Sequence, residues 1–165
     1  ILIPSFLNTI PEITNHFPIV GIVIGTLLLI SGMVFKNEGI RISGLGTIVF
    51  ASIMAIVADL TGDPAKDALH SLPGIFETLI NRHEDIASAS LFLMIPCGLL
   101  AVLTIYSIIK KERSVFFLTI ITLVLSLVSC AVMGYVGHTG GQIKHDEFRS
   151  ESTIQYMVDN GCDKA

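Results

Sequence analysis

Val115–Val136 reads VFFLTIITLVLSLVSCAVMGYV, 22 residues without a charged side chain. A helix needs about 20 apolar residues to cross the hydrocarbon core of a bilayer. Lipid offers no partner for a free backbone N–H or C=O, so such a run must be helical. Working outward, three more runs of this kind precede it. They begin at Phe17, Ile42 and Ile86, and the second is completed near the interface by Asp59 and Leu60. The expected spans are about 17–35, 42–60, 86–109 and 115–137. The expected fold class is therefore all-α, a four-helix transmembrane bundle. Residues 1–145 form its domain, and 146–165 form a polar C-terminal tail.

Composition agrees. Among 165 residues, 52% are hydrophobic and only 15% charged, with a mean hydropathy of +0.74. Soluble domains carry about 25% charged residues, so a soluble enzyme is disfavoured. The abundance of Ile, Leu, Val and Phe excludes disorder. A net charge of −4 argues against a nucleic-acid partner, which requires a basic face.

Four spans place both termini on one side. The two hairpin loops on the opposite side hold Lys36, Glu38 and Arg41, then Lys110, Lys111, Glu112 and Arg113, five basic residues against two acidic. Positive loops remain cytoplasmic. The expected location is a bacterial inner (cytoplasmic) membrane, with the termini, the central loop and the tail facing the periplasm. No signal peptide is evident, and an isoleucine at position 1 leaves a removed leader open.

The central outer segment, 61–85, is expected to carry short amphipathic helices. Asp63-Pro64 has the form of an N-cap followed by Pro at the first helical position. Pro73-Gly74 interrupts that helix, and a second is expected to run through Ile75, Phe76, Leu79 and Ile80 into the third span. Both pieces are expected across the outer mouth of the bundle. Residues Thr153–Val158 are expected to form another short helix. Gly21 and Gly25 form a small-xxx-small pair suited to close helix approach. Cys97 and Cys130 lie within spans three and four, and Cys162 lies in the tail. None forms Cys-x-x-Cys, so neither a zinc ribbon nor a covalent c-type haem attachment is expected. Within the spans the two cysteines read as small buried apolar residues.

The histidines carry the functional argument. On this topology His16, His70, His83, His138 and His145 all fall at the outer end, and none at the inner end. Ionisable groups at a membrane edge mark functional sites by default, and imidazole is a common metal ligand. A b-type haem takes one imidazole on each face, and a helix bundle can supply both from different helices. His138 and His145 are seven residues apart, nearly two turns, so they would lie on one face about 10 Å apart along the axis. One helix would then offer ligands at two levels, with His16 and His83 opposing them. Between the two levels sit Gly140 and Gly141, which allow the close approach of a ring edge or a backbone. They equally allow the helix to end at Gly137, which would remove the stacking. His70 reads as an interfacial residue, and His145, in Lys144-His145-Asp146-Glu147, has an easy solvated reading. Glu84, Asp85 and Asp146 are candidates for fixing the imidazole tautomers, or are ordinary solvated charges at a helix start.

Several segments resemble a known family. Asn15-His16-Phe17-Pro18-Ile19, Leu60-Thr61-Gly62-Asp63-Pro64-Ala65, Leu72-Pro73-Gly74 and Ile80-Asn81-Arg82-His83-Glu84-Asp85 resemble motifs of the membrane family called "domain of unknown function 2231". So does Gly137-His138-Thr139-Gly140-Gly141-Gln142-Ile143-Lys144-His145, the most specific of them. The likeness runs from about Asn15 to His145. It implies four transmembrane helices and, through relatives joined to cytochrome c-type modules, an association with electron transfer. Asp146 departs from the family pattern, in which Gly is frequent.

The expected function is a b-type cytochrome-like subunit holding one or two bis-histidine haems near the outer face. Its axial ligands would come from His16, His83, His138 and His145. Its partners would be other subunits of a membrane redox complex and a periplasmic cytochrome or quinol. Two alternatives stand beside it: a cofactor-free structural or assembly subunit, and a copper- or zinc-binding membrane protein using the same histidines. A transport pore is disfavoured because the spans carry no charge near mid-membrane. A hydrolase is disfavoured because no nucleophile elbow or metalloprotease helix appears.

Overall fold

The structure, a computed structural model, describes residues 16–61, 77–144 and 149–159. Within them lie five helices: α1 (His16–Val34), α2 (Glu38–Leu60), α3 (Glu77–Lys110), α4 (Val115–Lys144) and α5 (Glu151–Asp159). The first four are long and apolar enough to cross a membrane. Each packs against its neighbours in chain order, and α4 also meets α1, which closes an up-down-up-down bundle.

The distribution of side chains explains why this bundle belongs in lipid. Its outer surface is apolar, with Phe92 83% and Phe116 73% exposed. Its interior holds hydroxyls, including Thr26, Ser52, Thr104, Thr119, Thr122, Ser126 and Ser129. In water this arrangement would waste the hydrophobic driving force. In a bilayer the outer face is solvated by acyl chains, and small polar residues hold the helices together. The hydroxyls are satisfied locally, as when Thr104 donates to Leu100 O at 2.7 Å and Ser129 to Leu125 O at 2.9 Å. Thr104 and Thr122 also meet across α3 and α4 at 2.9 Å. The chain is accordingly an integral membrane protein.

Glycine sets the spacing of α1 and α2. A Cβ on Gly32 would fall 2.5 Å from the Arg41 backbone nitrogen, and one on Gly44 would fall 2.5 Å from that of Leu29. Gly21 and Gly25 face Ala51 and Ile48 in the same seam. The close approach expected of the Gly21/Gly25 pair therefore extends along most of the helix pair.

Both short hairpins are built alike. Lys36 and Lys111 adopt φ of 51° and 54°. Asn37 N bonds Gly32 O at 2.9 Å and Lys36 N bonds Met33 O at 3.3 Å, while Glu112 N bonds Ser107 O at 3.0 Å and Lys111 N bonds Ile108 O at 3.1 Å. These paired bonds are the Schellman pattern, with a lysine in the left-handed position that usually holds glycine. The Asn37 side chain then caps α2 by accepting from Ile40 N at 3.1 Å.

Helix α2 starts one turn before its expected span, and two helices exceed theirs by more. The third begins by Glu77, because Leu79 and Ile80 are buried against Ile143 and Met157. The fourth does not stop at Gly137 but continues through Gly140 and Gly141 to Lys144. Arg149 folds back onto its end, donating to Gln142 O at 2.9 Å and Ile143 O at 3.2 Å. Helix α5 covers the expected Thr153–Val158 and docks on this end through Met157 and Thr153. The first central-loop helix expected after Asp63-Pro64 lies outside the described residues.

Candidate functional site

Antiparallel packing brings the starts of α1 and α3 and the ends of α2 and α4 to one end of the bundle. His16 opens α1, His83 lies in the second turn of α3, and His138 lies near the end of α4. The three described histidines thus share one end, and the hairpin lysines and arginines occupy the other. His70 and His145 lie outside the described residues.

The three rings are placed differently. His83 is half-buried on the face of α3 that packs into the bundle, in line with Ser90, Met94 and Cys97. Its Nδ1 lies 3.1 Å from Thr139 Oγ1. The Thr139 hydroxyl has one proton, and that proton is donated to Val136 O at 2.9 Å. Thr139 therefore accepts from His83, which places the imidazole proton on Nδ1 and leaves the Nε2 lone pair available. Gly140 makes room for the ring: a Cβ there would lie 3.1 Å from His83 Cε1. Glu84 and Asp85, the carboxylates next to His83 in sequence, are not its Nδ1 partner. The Thr139 hydroxyl on the neighbouring helix fills that role, and the Val136 backbone bonds the ring as well.

His138 is exposed. Residues advance by about 100° around a helix, so His138 and Gly140 point to nearly opposite sides of α4. The ring of His138 is consequently turned away from His83. Its Nε2 lies 3.0 Å from Gln142 Nε2. The buried Gln142 amide donates to the ring, and its oxygen accepts from Thr153 Oγ1 of α5 at 3.5 Å. His138 is thereby the outer member of a chain of polar contacts that seats the tail helix.

His16 is exposed at the first residue of α1. A Cβ on Gly137 would touch Ile19 Cδ1 at 3.2 Å, so His16 lies roughly one helical turn further toward the end of the bundle, near the level of Gly140. The structure brings His16, His83 and His138 to similar depth without converging them. Among the described residues no group of three or more His, Cys, Asp or Glu side chains gathers as a metal site would require.

Other polar contacts brace this end. Arg82 donates to Tyr135 Oη at 3.0 Å across α3 and α4. Ser88 donates to Asp59 Oδ1 at 2.8 Å, fixing the end of α2 to α3. Thr139, Gln142 and Thr153 were not singled out by sequence. Gln142 carries a usable signal, because it sits one turn after His138. Thr139 carries none, because its role depends on the register between two helices.

No family model matches the chain, and neither a curated protein nor a solved structure is detectably similar to it.

Proposed function

We propose that this chain is a b-type cytochrome-like electron-transfer subunit, with His83 supplying one axial imidazole to a haem at the histidine-bearing end. The observation that supports this most directly is the state of His83. Its ring faces the bundle, its proton is held on Nδ1 by Thr139, and its Nε2 lone pair is free of that bond. Ligating histidines are oriented this way, with the far nitrogen donating to a fixed acceptor. Gly140 supplies the clearance beside the ring.

The opposing imidazole would come from His16, His138 or His145. His138 would have to release the Gln142 amide and turn across α4 to serve. Held between two imidazoles, such a haem would supply one-electron transfer. The excess of basic residues in the hairpin loops supports a periplasmic placement of the histidine end, and the acidic remainder of the chain would steer a basic redox partner.

A second reading is favoured by a specific observation. The contact chain from His138 through Gln142 to Thr153 gives that histidine a structural task without any cofactor. A cofactor-free assembly subunit would use the docked α5 to grip a partner outside the membrane.

Expression in a haem-replete host separates the two. The first reading expects a reduced-minus-oxidised alpha band of b haem in the purified protein, and its loss in His83→Ala. A protein that is folded and iron-free by elemental analysis would leave the second.

A further inference from the structure

The bundle interior holds a second group of potential ligands, far from the histidines. Helix α3 carries Met94 and Cys97 three residues apart, and α4 carries Cys130 and Met133 three residues apart. The helices are antiparallel, and their register in this stretch is fixed by Thr104 meeting Thr122 and by Cys97 meeting Ser129. That register sets Met94 and Met133, and likewise Cys97 and Cys130, within about one residue of level. Met94, Cys97 and Met133 belong to one buried core, and Cys130 packs against it. Met94 and Cys97 are fully buried.

The hydrogen bonds show how the thiols are held. Cys130 Sγ lies 3.4 Å from Thr26 Oγ1, whose own proton goes to Ile22 O at 2.7 Å. The Cys97 thiol bonds the Ser129 hydroxyl and lies within electrostatic reach of Cys130, and the Ser129 proton goes to Leu125 O. Each thiol is thus paired with a hydroxyl that also bonds a carbonyl of its own helix. Neither cysteine is bridged in a disulfide. Cys97 is 14 residues from His83, about 21 Å along the helix, which places the four sulfurs near the middle of the membrane.

We infer that Met94, Cys97, Cys130 and Met133 form a binding site for a soft monovalent cation, copper(I), at mid-depth between α3 and α4. Thioether and thiolate sulfur select Cu(I) over harder ions. Zinc sites draw on thiolate, imidazole and carboxylate, and thioethers are not among their usual ligands. Charge also favours a monovalent ion. One thiol gives its proton to the aqueous buffer as its sulfur binds Cu⁺, so a neutral Cu–thiolate unit replaces a neutral S–H and no net charge is buried. A divalent ion would leave net charge in a low-dielectric interior, which is costly. Copper stays Cu(I) throughout. The site is independent of the haem reading, because it shares no residue with it.

The test uses the full chain, purified in detergent under anaerobic reducing conditions and offered Cu(I) as its bicinchoninate complex. The wild type should withdraw one equivalent of Cu(I), with a sulfur-only first shell by X-ray absorption. The Cys97→Ser/Cys130→Ser double variant should lose the bound copper. Met94→Leu/Met133→Leu, which conserves volume, should weaken binding by more than the roughly 10–100-fold that loss of an outer-shell partner costs. His83→Ala should keep the copper, so that failure here and failure of the haem reading are distinguishable. Circular dichroism and size-exclusion profiles establish that each variant is folded. Should the serine pair not fold, the methionine pair decides the matter. A folded wild type that takes no Cu(I) overturns the assignment. Full stoichiometry in the cysteine variant, or nitrogen ligands in the first shell, does so equally.

Discussion

Thr139→Val replaces one hydroxyl with a methyl of similar size, at a residue 4% exposed. Two hydrogen bonds disappear, but they differ in consequence. The bond to Val136 O is redundant, because that carbonyl sits inside α4 with its own helical donor four residues on. The bond from His83 Nδ1 is shared, because the ring also bonds the Val136 backbone. A buried donor left unpaired costs about 1–3 kcal/mol. His83 keeps its bond to the Val136 backbone, so the loss is that of one ordinary hydrogen bond, about 0.5–1.5 kcal/mol. Thr139→Ser keeps the hydroxyl and should recover most of the loss. Two assays read the effect: thermal unfolding in a fixed detergent, and ¹⁵N NMR of histidine-labelled protein above pH 8, where imidazole is neutral. The wild type should show His83 protonated on Nδ1 and bare on Nε2, and the valine variant should keep that tautomer through Val136 while losing stability. A wild-type His83 protonated on Nε2 would refute the reasoning. So would a valine variant with unchanged stability.

Lys36→Gly and Lys111→Gly should each stabilise the protein by about 1 kcal/mol, since a left-handed residue with a Cβ costs roughly 1–2 kcal/mol that glycine avoids; differential unfolding of the two single variants measures this. Gly32→Ala should destabilise by about 1–3 kcal/mol, the usual cost of overpacking, because its Cβ would sit 2.5 Å from the backbone of Arg41; the same unfolding assay reads it. Gln142→Leu removes the amide between His138 and Thr153; α5 should become more accessible to protease, read as faster cleavage within 149–159 at unchanged helix content.

The four spans were legible because absence of charge over about 20 residues has few other meanings in a folded chain. Their ends were harder to read. Gly140 and Gly141 offered a plausible stop after Gly137, since glycine costs a helix about 1 kcal/mol relative to alanine. The helix continues because Gly140 receives the His83 ring, Ile143 is buried, and Arg149 caps the final carbonyls. None of those contacts is local in sequence. The shared end of His16, His83 and His138 followed from counting spans, which requires only topology. Their facing directions did not. Helical angles alone would have turned His138 away from Gly140, but which side of α4 meets α3 depends on packing. Thr139 was hidden for the same reason, as a threonine between His138 and Gly140 whose hydroxyl matters through a residue 56 positions earlier. Residues 62–76 of the central segment lie outside the described residues, as does His145, on which a stacked pair of haems depended.

The most direct measurement is a pyridine haemochrome spectrum with a haem-to-protein ratio, taken on the wild type and on His83→Ala. The account predicts at least one b haem per chain in the wild type and a loss of at least one in the variant. An unchanged ratio in a folded His83→Ala protein, or a folded wild type with no haem, would contradict it.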